Sequence, residues 1–183
     1  MKNISVIGSG TMGNGIAQTF ALFNFNVRLY DINSENLKKG EQTILKNLQR
    51  MVNKEKINES VAENTIGNIK YTSDFDSILN ADLVIEVVSE NLKLKKSIFK
   101  ELDLKCPKNT IIASNTSSIS ITKLAEATTR KDKVIGMHFM NPVPIMKLVE
   151  VINSKLLLDI NTKNLKNFDR ESLLGAPILT RSL

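Results

Sequence analysis

The chain has 183 residues, of which 42% are hydrophobic and 24% charged, a composition typical of a globular protein and not of a disordered one. No apolar run approaches the about 20 residues that a membrane-spanning helix needs, and no signal peptide precedes the first predicted strand, so we expect a cytoplasmic protein. The net charge of +6 comes largely from dispersed lysines, which favours a solvated surface or attraction of a polyanionic ligand and argues against a nucleic-acid partner.

Apolar runs predict strands, and amphipathic periodicity predicts helices between them. The predicted strands are residues 3–8, 26–31, 68–72, 81–88, 109–116, 134–139 and 147–152. The predicted helices are residues 11–24, 34–54, 58–66 and 92–105. This alternation is typical of an α/β fold with a Rossmann-like, doubly wound, mostly parallel sheet that carries helices on both faces. We assign this domain to residues 1–152 and regard residues 153–183 as a divergent tail.

The first predicted strand runs into Gly8-Ser9-Gly10-Thr11-Met12-Gly13, which has the spacing G-x-G-x-x-G. The strand before it, the helix after it and Asp31 at the end of the second strand form the context in which this motif binds a dinucleotide. The glycines allow a tight turn and close approach of the pyrophosphate to the helix N-terminus. A carboxylate at Asp31 accepts hydrogen bonds from the adenosine ribose and repels a 2′-phosphate, which predicts NAD as the cofactor; a simple turn residue is the alternative.

His138 is the only histidine in the chain, and it lies near the end of a predicted strand. Glu150 lies on the next strand, and the turn Asn141-Pro142-Val143-Pro144 predicts a reversal that brings the two side chains together. A carboxylate bonded to one imidazole nitrogen fixes the tautomer, so the other nitrogen can take a proton from a hydroxyl. A locally satisfied histidine and a surface glutamate are the alternatives. Candidate residues fall at the ends of four predicted strands, which favours one shared site: Gly8, Glu90, Ser117 and His138.

Four segments carry a family resemblance: GSGTMGNGIAQTFA, ADLVIEVVSENLKLKKSIFKELD, ASNTSSISIT and GMHFMNPVPIMKLVEVI. With these segments the chain resembles, over residues 1–152, the 3-hydroxyacyl-CoA dehydrogenases, and above all the bacterial members that act on 3-hydroxybutyryl-CoA. The resemblance implies an NAD-dependent oxidoreductase that interconverts (S)-3-hydroxyacyl-CoA and 3-oxoacyl-CoA, in fatty acid or butyrate metabolism. Other NAD-linked β-hydroxyacid dehydrogenases typically use a catalytic lysine and lack the HFxNP segment.

The resemblance also implies roles for individual residues. His138 matches the family's catalytic base, Glu150 matches the partner that orients it, and Ser117 matches the serine that binds the substrate oxygen beside the nicotinamide. For Ser117, a loop or capping serine is the alternative from sequence alone.

Three further positions match residues that contact the cofactor: Glu90, Lys95 and Asn141. Lys54 matches a lysine that meets the CoA phosphates, although a solvated helix lysine is the simpler interpretation of it. No metal site is predicted, and the single cysteine, Cys106, is expected to be a structural thiol.

After Ile152 the chain departs from the family pattern. The family continues into an all-helical domain that covers the acyl-CoA, forms the dimer and supplies a catalytic asparagine in a segment like PGFxxNR. We find no such segment, do not place Asn161, Asn164 or Asn167 in that role, and interpret the tail as truncated or divergent. Two functions therefore stay open: a dehydrogenase or its catalytic half, and an NAD-binding module with little or no turnover.

Overall fold

The structure is a computed structural model that describes residues 1–146, 148–153 and 178–182. An eight-stranded sheet runs through it in the order β3-β2-β1-β4-β5-β6-β7-β8. The strands are β1 (Asn3–Ile7), β2 (Asn26–Tyr30), β3 (Ile69–Thr72), β4 (Leu83–Glu86), β5 (Ile111–Ser114), β6 (Val134–Phe139), β7 (Val149–Asn153) and β8 (Ile178–Ser182).

The pairing confirms the predicted doubly wound, mostly parallel sheet. Strands β1 to β6 pair in parallel, β7 runs antiparallel to β6, and β8 pairs in parallel with β7. All seven predicted strands are present with slightly shifted ends. Strand β8 is an addition to the predicted strands, and it lies within residues 153–183, so part of the predicted divergent tail belongs to the sheet.

Five helices are described: α1 (Thr11–Leu22), α2 (Ser34–Asn53), α3 (Glu59–Gly67), α4 (Leu92–Lys105) and α5 (Ile121–Ala125). Asparagine side chains begin three of them by accepting hydrogen bonds from first-turn amides: Asn33 for α2, Asn58 for α3 and Asn91 for α4. Helix α5 was not predicted, because a single turn is too short to show periodicity. None of the described helices is long and apolar enough to cross a membrane.

Helices cover both faces of the sheet, as predicted. One core joins α1 to the sheet through fully buried side chains such as Phe20 and Leu29. The other core joins α4 and α5 to the opposite face through Phe99 and Leu124. Cys106 is buried in this second core, and burial raises the pKa of its thiol to about 11, which suits the expected structural role.

Candidate functional site

The turn between β1 and α1 places its three glycines in different surroundings. Gly8 has a φ of +104°, and a Cβ there would lie 2.9 Å from the carbonyl oxygen of Val87. A Cβ on Gly13 would overlap the carbonyl oxygen of Gly8. A Cβ on Gly10, in contrast, would meet nothing within 4 Å in the part of the chain that the structure describes. The fold itself requires Gly8 and Gly13, whereas the open backbone at Gly10 leaves room for a ligand.

The N-terminus of α1 suits an anionic group. The N-cap residue is Gly10, so no side chain satisfies the first backbone N–H groups, and the first turn holds no acidic residue. Thr11 is exposed and Met12 is half-buried at this end of the helix. Free amides and the positive end of the helix dipole are what a diphosphate needs, so these residues fit the pyrophosphate of a dinucleotide.

Asp31 lies directly after β2 and is tied to the glycine-rich turn. Its Oδ2 accepts hydrogen bonds from the backbone N and the Oγ of Ser9, each at 2.9 Å. Its Oδ1 accepts from the Asn33 amide at 3.0 Å, so the alternative turn role is also present. Burial raises the pKa of Asp31, but these hydrogen bonds outweigh burial and leave the pKa below its ordinary value. The carboxylate is therefore charged at neutral pH, which is the form that repels a 2′-phosphate.

Glu90, which follows β4, is hydrogen-bonded to the turn after β5 that contains Thr116 and Ser117 (the serine turn). Its Oε2 accepts a hydrogen bond from Thr116 Oγ1 at 2.8 Å, and its Oε1 accepts one from the Ser117 amide at 3.2 Å. Both Glu90 and Ser117 are exposed at this edge of the sheet. The structure thus brings these two predicted site residues into direct contact.

Lys95 lies behind Glu90 and is buried. Its Nζ donates to Glu86 Oε1 at 2.7 Å and to the carbonyl oxygen of Val88 at 3.1 Å, and it lies 4.0 Å from Glu90 Oε2. The Lys95 side chain is only 1% exposed, and the exposed carboxylate of Glu90 lies between its ammonium and solvent. A direct contact between Lys95 and a cofactor stays a prediction.

His138 and Glu150 are directly opposite each other in the antiparallel pairing of β6 and β7. Their Nδ1 and Oε2 atoms lie 2.9 Å apart, which confirms the contact that the sequence predicted. The side chains are 25% and 20% exposed, so the pair is partly shielded yet reachable. An ionised carboxylate only accepts hydrogen bonds, so a neutral imidazole paired with it would carry its proton on Nδ1 and keep the lone pair on Nε2.

His138 shares a face of the sheet with the segment that contains Ser117. A Cβ on Gly136, two residues earlier on the same strand, would contact Ile121 of α5 at 3.0 Å. Side chains alternate along a strand, so His138 points to the same side as α5 and the serine turn before it. Asn115 joins the two strand ends, because its Oδ1 accepts a hydrogen bond from the Phe139 amide at 2.9 Å.

The two remaining predicted residues are exposed. Asn141 begins the turn between β6 and β7, and its peptide bond to Pro142 is cis. Lys54 is the C-cap residue of α2 and lies outside the clusters described above. The structure therefore does not bring Lys54 together with the other predicted site residues.

Three residues with positions that matter for the site were missed from the sequence: Gly15, Glu86 and Asn115. A Cβ on Gly15 would lie 3.0 Å from Val143, so this glycine lets the Asn141-Pro142-Val143-Pro144 turn pack on α1. The signal for Glu86 was available, because it is the one charge inside the apolar run LVIEVV. Across the described residues, no group of three or more His, Cys, Asp or Glu side chains could hold a metal ion.

Known proteins with similar sequences are NAD-binding dehydrogenases, in agreement with this geometry. A sequence profile of the 3-hydroxyacyl-CoA dehydrogenase, NAD binding domain, matches residues 3–170, past the end of the predicted domain at residue 152. A probable 3-hydroxybutyryl-CoA dehydrogenase of Bacillus subtilis is 49% identical over 152 residues, which are 83% of this chain and 53% of that protein. The 3-hydroxybutyryl-CoA dehydrogenase of Clostridioides difficile is 45% identical over 84% of this chain and 54% of its own length.

Solved structures agree with these relatives. The (S)-3-hydroxybutyryl-CoA dehydrogenase of Ralstonia eutropha has a TM-score of 0.92 and 42% identity, and the match covers 100% of this chain and 64% of that one. The 3-hydroxybutyryl-CoA dehydrogenase of Escherichia coli has a TM-score of 0.92 and 37% identity, with 99% of this chain and 38% of that one covered. The chain spans about half the length of the curated relatives it matches.

The glycine environments lead to a paired prediction. We expect Gly13→Ala to lower the free energy of unfolding by about 1–3 kcal/mol, because the added Cβ overlaps the Gly8 carbonyl. We expect Gly10→Ala to lower the free energy of unfolding by less, about 0.5–1 kcal/mol, because Ala is a poorer N-cap residue than Gly but its Cβ meets no neighbour among the described residues. Urea unfolding measures both effects. A NADH titration should show that Gly10→Ala weakens binding by about tenfold or more, and unchanged binding would contradict a ligand at this position.

The charge on Asp31 leads to a second prediction. Asp31→Asn keeps one oxygen that can accept from Ser9 but removes the charge that repels a 2′-phosphate. We expect the preference for NADH over NADPH to fall by about tenfold, as measured by the two dissociation constants. Ser9→Ala is the matched control, because it removes one hydrogen bond and keeps the carboxylate. An unaltered preference in Asp31→Asn would count against contact with the ribose.

Proposed function

The chain belongs to the 3-hydroxyacyl-CoA dehydrogenase family through its NAD-binding domain, and from this premise we propose that it interconverts (S)-3-hydroxyacyl-CoA and 3-oxoacyl-CoA. The single observation that carries the proposal is the His138–Glu150 pair at 2.9 Å, at the same edge of the sheet as the glycine-rich turn. The proposed substrate is 3-hydroxybutyryl-CoA, which is the compound in the names of the relatives.

NAD, when bound, supplies the hydride acceptor for the oxidation, and NADH supplies the donor for the reverse reaction. The proposed contacts of the chain begin at Gly8–Gly13, whose open backbone and free helix amides suit the pyrophosphate. Asp31 accepts hydrogen bonds from the adenosine ribose. Glu90, Asn141 and, by the family match, Lys95 make up the nicotinamide end of the site.

His138 performs the proton transfer in this proposal. Its Nδ1–H is held by Glu150, so Nε2 faces the reacting group with a free lone pair. In the oxidation, Nε2 takes the proton of the 3-hydroxyl group. The Glu150 carboxylate stabilises the imidazolium that forms, and in the reduction that imidazolium returns the proton to the oxygen.

Ser117 and Lys54 are the proposed substrate contacts. The Ser117 amide donates to Glu90, and the residue is exposed at the edge of the sheet where β6 carries His138. That hydroxyl can donate to the 3-oxygen of the substrate and stabilise negative charge that develops there. Lys54 is exposed at the end of α2, where its ammonium can attract the CoA phosphates.

A second candidate function is NAD binding by the 183 residues alone with little turnover. The observation that favours it is that the match covers only 53% of the length of the Bacillus subtilis relative. For the first candidate function, we propose that residues 1–152 form the NAD-binding domain and that further protein, through which the family dimerises, completes the acyl-CoA site. We also propose a cytoplasmic location and a place in fatty acid or butyrate metabolism, which fit an NAD-linked reaction of acyl-CoA.

Variants of the proton-transfer pair test the proposed function. We expect His138→Gln to lower acetoacetyl-CoA-dependent NADH oxidation by about 10²–10⁴-fold while NADH binding stays nearly intact. We expect Glu150→Gln to lower the rate as well, because its side-chain amide can donate to Nδ1 and stabilise the wrong tautomer. Steady-state rates and NADH titrations on the same preparations separate the two effects.

The outcomes distinguish the candidate functions. Turnover that disappears with His138 supports the dehydrogenase. Turnover that is unchanged in His138→Gln would show that another group transfers the proton. Saturable NADH binding without turnover in the parent chain would favour the second candidate function.

A further inference from the structure

A buried ion pair, Glu86–Lys95, lies at the end of the central strand β4, at the edge of the sheet that carries the candidate site. The proposed proton transfer does not use it. Glu86, the last residue of β4, is fully buried, and Lys95 on α4 lies 2.7 Å from it and is 1% exposed. Burial of two charges carries a desolvation cost that the attraction between them only partly offsets, and apolar side chains of similar size often serve stability as well. Stability alone therefore does not account for this pair.

Glu86 joins three separate elements through its side chain. Its Oε1 accepts hydrogen bonds from Lys95 on α4 and from the Val88 amide after β4, both at 2.7 Å. Its Oε2 accepts one from Ser114 Oγ at the end of β5, also at 2.7 Å. The backbone oxygen of Glu86 also accepts from the Asn115 amide at 2.9 Å. One carboxylate thus sets the position of an ammonium relative to two strand ends.

The position of that ammonium matters for Glu90. Lys95 Nζ lies 4.0 Å from Glu90 Oε2, and the Glu90 side chain is 44% exposed. An exposed carboxylate is free to rotate into water unless something holds it, and here the buried positive charge attracts it inward. In its inward position Glu90 accepts hydrogen bonds from the Thr116 hydroxyl and the Ser117 amide.

We propose that Glu86 is a positioning residue for the turn that carries Ser117, acting through Lys95 and Glu90. Glu86 fixes the ammonium, the ammonium fixes Glu90, and Glu90 fixes the backbone of Ser117. This inference rests on the proposed function in one respect, namely that Ser117 contacts the substrate. The order of contacts itself is independent of any reaction.

The test removes the buried charges together. The double variant Glu86→Leu/Lys95→Met leaves no unpaired buried charge, but the Val88 amide and the Ser114 hydroxyl lose their acceptor. We therefore expect it to fold and to melt about 5–15 °C below the parent chain. We expect hydrogen exchange of the Ser117 amide, followed by NMR on the full ¹⁵N-labelled chain, to become about tenfold faster. Where acetoacetyl-CoA reduction is measurable, kcat should fall by a similar factor.

A second ion pair provides a matched control. Arg130 and Asp103 lie 2.8 Å apart with side chains 10% and 6% exposed, at the C-terminal end of α4 and away from the site edge. Asp103→Leu/Arg130→Met removes a pair that is somewhat less buried, and we expect Ser117 exchange in it to follow only the change in global stability. A purely structural role for Glu86 would make the two double variants behave alike.

Glu90→Gln tests the last link and does not depend on the double variant folding. It removes the charge that Lys95 attracts, so we expect faster Ser117 exchange here as well. Parent-like Ser117 exchange in Glu90→Gln, or in a folded Glu86→Leu/Lys95→Met chain, would overturn the inference. A parent chain without turnover would count against the proposed dehydrogenase and leave the exchange experiment decisive for Glu86.

Discussion

The parallel pairing of β1, β4, β5 and β6 is the constraint on which the site depends. Parallel strands end at the same edge of a sheet, so the residues after each of them meet without long connections. The glycine-rich turn, Glu90, the Ser117 turn and His138 all occupy that edge. Strand β7 runs the other way, which brings Glu150 back to the edge opposite His138. Buried apolar side chains on both faces hold the strands in this register, so packing away from the edge positions the candidate site residues.

Polar groups at this edge form successive layers from solvent to the core. Outermost are the exposed groups that a ligand can reach, such as the backbone at Gly10 and the Ser117 hydroxyl. Behind them lie groups that hold them, namely Asp31 against Ser9 and Glu90 against Ser117. Deepest is Glu86, fully buried and hydrogen-bonded on both oxygens. A buried charge is tolerated only when it is fully partnered, and Glu86 meets this condition through Lys95, Val88 and Ser114.

Sequence alone predicted most of this arrangement, for physical reasons that also explain its failures. Long apolar and amphipathic runs identify β4 or α4 because many residues share one period, and the His138–Glu150 contact follows from two strands joined by a turn. Strand β8 could not be predicted from the sequence, because it is only five residues long and pairs with a strand that is distant in the chain. The burial of Lys95 could not be predicted from the sequence, because lysine is rarely buried. Only the three-dimensional structure shows that Glu86 lies close enough to pair with it.

The most direct test of the account uses the fact that the chain has one histidine. Imidazole ¹⁵N NMR of this residue reports the tautomer and can be recorded on the free chain, with NADH, and with NADH and acetoacetyl-CoA together. The proposed proton transfer requires a proton on Nδ1 in the free chain and a shift of the Nε2 signal when acetoacetyl-CoA joins the NADH complex. A proton on Nε2 in the free chain, or an imidazole spectrum that both compounds leave unchanged, would contradict the assignment of this edge as the site of proton transfer.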